Sequence, residues 1–247
     1  VLAGKTVSVS PRIGSTSETI SGQSSATDIE AMLQLTHLYF TQPRNDQELF
    51  TSFITRQQAL YQNMMSNPQY TFQAAILDLL YKEHPWAPQL PKAETFAKID
   101  LDRVMAIYKE RFGNAQGFTF VIAGSFDVAS VKPLIATYLG SLPSSEKSIA
   151  QVKDVGLRPV KGVIKEEVKK GTEPKSYIRM FFNGEAPYSE AEQLKLQALI
   201  EVVNIKLIET LREDLSGIYG GAMFGGLNKY PYNNYSIGIA LPCGPEN

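Results

Sequence analysis

Cysteine is almost absent from this 247-residue chain: Cys243 stands alone, which excludes an internal disulfide and any multi-cysteine zinc or iron–sulfur site. Histidine is nearly as scarce. His37 and His84 lie far apart in sequence, leaving little material for histidine-based metal or triad chemistry. No apolar run reaches the ~20 residues that cross a bilayer as a helix. An excess of one charge is also missing. With 24 basic and 25 acidic residues the net charge is −1, which removes the usual footprint of a non-specific nucleic-acid binder, so no nucleic-acid partner is expected. Phosphate and nucleophile signatures fail in turn. Gly220-Gly221 and Gly225-Gly226 are not followed by Gly-Lys-Ser/Thr, Gly124-Ser125-Phe126-Asp127 lacks dinucleotide spacing, and the serines near 144–148 have no nucleophile elbow around them.

What is present is an ordinary globular composition, 43% hydrophobic and 20% charged, long enough for two domains. The start, Val1-Leu2-Ala3-Gly4, leads directly into strand-like sequence and reads as a cleavage or fragment boundary. Alternation predicts strands at 6–10 and 17–22. Thr27-x-x-Glu30 then reads as a capping box opening a helix at 28–40, stopped by Pro43. Helical periodicity continues over 46–65, 71–82 and 100–112. The apolar run 117–124, bounded by glycines, predicts a buried strand, and Asp127 caps a helix to 139. Gly140, Pro143, Ser144 and Ser145 open a polar stretch that reads as a linker.

Beyond it, 163–168 and 177–182 predict strands. Ser189-x-x-Glu192 is a second capping box, and it starts the longest helix, to about 213. That helix carries an apolar stripe of Ala191, Leu194, Ala198, Val202, Ile205, Ile208 and Leu211. A glycine- and tyrosine-rich hairpin follows, with strands at 216–227 and 235–241. These elements predict an α+β fold: two repeated sandwich domains at 1–145 and 161–247, joined by a linker at 146–160, with antiparallel-rich sheets packed by helices. The second domain stops early and reads as truncated. The return strand 235–241 is then expected to offer an unpaired edge for self-association.

His37, within a helix, and His84, before Pro85-Trp86, read as structural. Arg212 and Tyr219 read differently. A helix end followed by a glycine-rich strand can bring a guanidinium fork and a phenol to one mouth, where both donate to a peptide carbonyl or oxyanion. The competing reading of Arg212 is an ordinary partner of the helix dipole.

The segment Leu211-Arg212-Glu213-Asp214-Leu215-Ser216-Gly217-Ile218-Tyr219 resembles the Leu-Arg…Gly-x-Tyr stretch in the C-terminal half of pitrilysin and insulinase-type zinc peptidases, the inverzincins. Three further segments are similar to that family. Gln34-Leu35-Thr36-His37-Leu38-Tyr39-Phe40-Thr41-Gln42-Pro43-Arg44 resembles the first helix of a non-catalytic repeat in bacterial two-repeat members. Phe120-Val121-Ile122-Ala123-Gly124-Ser125-Phe126-Asp127 and Tyr138-Leu139-Gly140-Ser141-Leu142-Pro143 resemble the family's strand–turn–helix signature, with Ser125 where Asp is common.

The resemblance implies a chamber-forming bacterial peptidase, periplasmic or cytoplasmic, whose N-terminal half holds zinc through His-x-x-Glu-His and a downstream glutamate. That motif is absent here, and 57–69 contains no acidic residue. The resemblance therefore implies the zinc-free, substrate-binding half, inactive alone, with no metal or cofactor of its own and zinc in the catalytic half of the parent. Its partners are then the catalytic N-terminal half and a peptide. Arg212 holds a substrate carbonyl and Tyr219 donates to the oxyanion. The alternatives are a catalytically dead chamber subunit and a module that binds peptides by adding a strand to a sheet edge.

Overall fold

The computed structural model describes residues 2–82, 84–146, 151–218 and 220–245. The fold is α+β: helices pack with antiparallel sheets. The chain divides into two compact units, Val1–Gln62 with Pro91–Gln151, and Asn63–Leu90 with Val152–Asn247. A contiguous reading of the sequence assigns 63–90 to the first domain. Within the second unit, however, Val160 N–H donates to Leu80 C=O at 2.8 Å, and the Phe72 ring meets Tyr177 edge-on at 6.1 Å.

The first unit opens with a hairpin of β1 (Val7–Ile13) and β2 (Glu18–Ser24), in register from Val7↔Ser24 to Ile13↔Glu18. Gly22 lets the hairpin lie close on the next helix, because a Cβ there would meet Met32 at 3.1 Å. That helix, α1 (Ile29–Thr41), follows a short 3₁₀ turn. The predicted Thr27–Glu30 box does not form. Thr27 bonds Ser25, and Asp28 is engaged by Thr6 N–H at 2.9 Å, by Ser25 Oγ at 2.8 Å and by Lys5. Asp28, at the start of α1, thus spends its carboxylate on the residues before the helix, and these hydrogen bonds, from Thr6 first, hold its pKa below the usual value.

Two helices as predicted from spacing follow, α2 (Gln47–Met64) and α3 (Pro68–Tyr81); α3 begins three residues earlier than expected because Asn67 caps Gln69 and Tyr70 N–H ahead of Pro68. A short α4 (Ala93–Ala97), unforeseen in the sequence, precedes α5 (Leu101–Phe112), which Asp100 caps. Asp127 caps α6 (Val128–Tyr138) through Ser130 N–H at 2.7 Å.

The core of the first unit gathers Leu33, Phe40, Phe112, Val131 and Leu142, with Phe112 almost fully buried. Polar ties surround it: Tyr138 donates to Glu30 at 2.8 Å, and Tyr108 donates to Tyr39 C=O at 2.8 Å. The predicted strand at 117–124 is not a strand. Val121 is 84% exposed, while Phe118 and Phe120 turn onto Phe40 with ring centres 5.1 and 6.0 Å away. Two rings of the run thus join an aromatic cluster, no ladder forms, and Val121 stays exposed.

In the second unit, 163–168 is likewise no strand, and Val163 is 92% exposed. The sheet has order β3 (Ser176–Glu185), β5 (Asn234–Cys243), β4 (Ala222–Asn228), all antiparallel. This corrects the expected free edge. The return strand is central, with β3 on one side over ten positions from Ser176↔Cys243 to Glu185↔Asn234, and β4 on the other. The predicted first strand of the hairpin also starts late: Ser216 takes φ +50°, and Ile218 makes only a single bridge to Cys243.

Candidate functional site

The predicted site residues follow α7 (Glu190–Leu207), which starts as the sequence suggests. Ser189 Oγ accepts from Glu192 N–H at 3.1 Å, although the Glu192 carboxylate turns to Lys195 at 2.6 Å and leaves the box half formed. The expected apolar stripe does not face the core. Leu194, Val202 and Ile205 are 67%, 56% and 57% exposed, whereas Ile200 is buried. The side that meets β4 carries Gln193 and Asn204. Asn204 interrupts an otherwise apolar run, Val202-Val203-Asn204-Ile205, and that interruption is the signal from which its role could have been read.

At Ile208 the helix widens into a π-helical segment, Ile208–Asp214, whose hydrogen bonds reach five residues back. Leu215 N–H closes on Thr210 C=O at 3.1 Å, and Gly217 N–H reaches Leu211 C=O at 2.8 Å. Ser216, in the left-handed region, reverses the chain toward Ile218. Each wide turn holds more residues than an α-turn, so residues in this segment are rotated from where a continuous α-helix would set them. No propensity rule signals this widening.

Arg212 sits in the last turn of that segment and is exposed. Its guanidinium makes no ion pair or side-chain hydrogen bond with another described residue, which leaves its fork of five donors available. Tyr219 lies outside the described residues. Between Arg212 and the start of β4, the chain turns at Ser216 and is pinned where Ile218 pairs with buried Cys243. An open pocket of about 410 Å³ elsewhere on the unit is lined by Phe181, Gln193, Phe224, Gly225 and Ser236, and does not include Arg212.

The described residues do not fit a zinc ion. Among the described residues no three His, Cys, Asp or Glu side chains converge. His37 Nδ1 is engaged with Tyr138 C=O at 2.8 Å, and His84 Nδ1 accepts from Trp86 N–H at 3.1 Å.

Residues 98–247 match the family model described as the peptidase M16 inactive domain. No curated protein matches the chain. Among solved structures, the periplasmic protease PqqL from Escherichia coli shares the fold with TM-score 0.80 and 20% identity, covering 99% of this chain and 27% of its own. The ferredoxin protease FusC, in complex with Arabidopsis ferredoxin, gives TM-score 0.73 at 17% identity, covering 99% of this chain and 26% of its own. The first half of PqqL taken alone gives TM-score 0.62 at 16% identity, covering 95% and 51%. The chain thus spans about a quarter of the length of the two full-length proteases it resembles. By its family match over most of its length, the chain belongs to the peptidase M16 family, the pitrilysin-type peptidases, as a member of that family's inactive domain.

Proposed function

We propose that this chain is part of the non-catalytic, substrate-binding half of a zinc-dependent endopeptidase that degrades peptides or small proteins in a closed chamber. The observation that carries this reading is the inactive-domain match over 98–247, a stretch that contains both Arg212 and Tyr219. Full-length PqqL superposes better than its first half alone, which favours a counterpart in the other half of such a protein. The ferredoxin complex of FusC supports a small protein as one substrate class.

The surface also supports a partner. Apolar side chains such as Leu194, Val202, Ile205 and Phe182 are among those exposed. The proposed partner is the catalytic half, fused or separate, which carries the zinc. In the assembled enzyme Arg212 holds a backbone carbonyl of the peptide, and Tyr219 donates to the oxyanion that develops as that peptide is attacked.

The test is hydrolysis of a peptide by this chain alone, by the catalytic half alone, and by the two together. Activity is expected only with both, and Arg212→Ala should weaken it. Hydrolysis by this chain alone overturns the reading. If the mixture gains nothing over the catalytic half, the chain is a structural subunit instead.

A further inference from the structure

We propose that α7 guards the outer edge of β4, its side-chain amides standing in for a neighbouring strand, and that without them β4 pairs with β4 of a second copy of this chain. β5 covers one side of β4 along its whole length, from Ala222↔Ala240 to Asn228↔Asn234. In an antiparallel ladder, residues alternate between those that exchange main-chain hydrogen bonds with the partner strand and those whose N–H and C=O point away from it. Met223 is of the second kind. Its N–H donates to Asn204 Oδ1 at 2.6 Å, and its C=O accepts from Asn204 Nδ2 at 3.0 Å. One side chain thus makes the pair of bonds that a residue of an adjoining strand would make. Leu227, four positions on, faces the same way, and its N–H donates to Gln193 Oε1 at 2.6 Å. Gly225 lies between them with the same outward orientation. Two of these three outward positions are therefore occupied by one helix.

The composition of β4 explains why it needs covering. Exposed edges are usually protected by lysine, other charges or proline. The strand Ala222-Met223-Phe224-Gly225-Gly226-Leu227-Asn228 has none of these. Gly226 adds to the fit, because a Cβ there would stand 3.0 Å from Gln193 Nε2. The second copy is the occupant the strand itself suits. A two-fold antiparallel pairing centred on Gly225 sets Met223 of one copy against Leu227 of the other, with no charge opposed to its like.

The experiment compares the wild-type chain with the double variant Gln193→Ala/Asn204→Ala. Sedimentation velocity over a range of concentrations is combined with amide hydrogen exchange at 222–228. In the wild type, exchange at these amides should not depend on concentration. In the double variant the Met223 and Leu227 amides should exchange about tenfold faster when dilute, the order expected for losing one such bond, and should regain protection as a dimer forms. Gln193→Glu keeps the acceptor for Leu227 N–H and should behave as wild type. If circular dichroism shows the double variant unfolded, Gln193→Ala alone is used, because it leaves the Asn204 pair intact, and the same concentration dependence is sought at Leu227. A folded variant with no dimer and no concentration-dependent protection at β4 overturns the proposal. So does a wild-type chain that already gains such protection.

Discussion

The guanidinium of Arg158 lies over the ring of Tyr232, 3.4 Å from its centre, while its two terminal nitrogens grip both carboxylate oxygens of Asp154 at 2.8 and 2.6 Å. A planar fork suits this double engagement, and lysine could not reproduce it. The clasp fastens an otherwise irregular stretch of the second unit to the turn between β4 and β5.

Asp154 should make the stability of the second unit sensitive to acid. Hydrogen bonds from Arg158, then from Gly156 N–H, lower its pKa from the 3.8 of an unperturbed aspartate to about 2. A carboxylate with a depressed folded-state pKa stabilises fully above its unfolded value, and that contribution is lost as pH falls through the folded one. Thermal unfolding of wild type and Asp154→Asn should therefore differ at pH 6, with wild type the more stable, and converge between about pH 4 and pH 2. Equal melting temperatures at pH 6 would show that the clasp contributes nothing.

Tyr108 behaves oppositely at the alkaline end. Burial, with the neighbouring Tyr39 adding to it, raises its pKa from 10.0 to about 12. Its neutral form is the one the fold holds, so its contribution is intact below pH 10 and lost as pH rises toward 12. Ultraviolet titration should show a tyrosine that ionises near pH 12 and disappears in Tyr108→Phe. That variant should also lose ~1 kcal/mol with the hydrogen bond to Tyr39 C=O.

Two serine/threonine positions that look alike in sequence should respond differently. Ser189→Ala should cost ~1 kcal/mol in a denaturant titration, the usual value of a lost N-cap. Thr27→Ala should stay within ~0.5 kcal/mol, because its hydroxyl meets only Ser25 and caps nothing. A larger cost at Thr27 than at Ser189 would contradict the geometry at both helix starts.

Arg212→Ala should leave the melting temperature of this chain unchanged, since the guanidinium is exposed and has no described partner. In the complete enzyme the same change should raise KM, and Tyr219→Phe should lower kcat by ~10²-fold if the phenol serves the oxyanion. Wild-type turnover in Tyr219→Phe would remove that role. A large fall in melting temperature for Arg212→Ala would make the arginine structural.

The helices were the legible part of the fold. Asp100, Asp127 and Ser189 each cap where a side-chain oxygen precedes an apolar periodic run, a local relation that needs no knowledge of the rest of the chain. The strands were less so. Hydrophobicity marks 117–124 and 177–182 equally, and only the second finds a ladder, because pairing depends on residues some sixty positions away. The central place of β5 is hidden for the same reason. At the candidate site, Arg212 was visible through its neighbours in sequence. The π-helical turn that rotates it was not, since one extra residue per turn leaves no mark on periodicity over so short a stretch.

The interrupted make-up of the second unit bears on how the chain is born. Its first segment, Asn63–Leu90, is complete roughly 150 residues before the end of β5, the strand without which neither β3 nor β4 has a ladder. At ribosomal rates of about 5–20 residues per second, α3 is left without its sheet for roughly 8–30 s. Phe72 emerges long before Tyr177, the ring it will meet, has been synthesised. During that interval the nascent chain holds an apolar helix that belongs to nothing yet made, so the pace of translation, as much as the final packing, decides whether the helix reaches its own unit or is captured by something else.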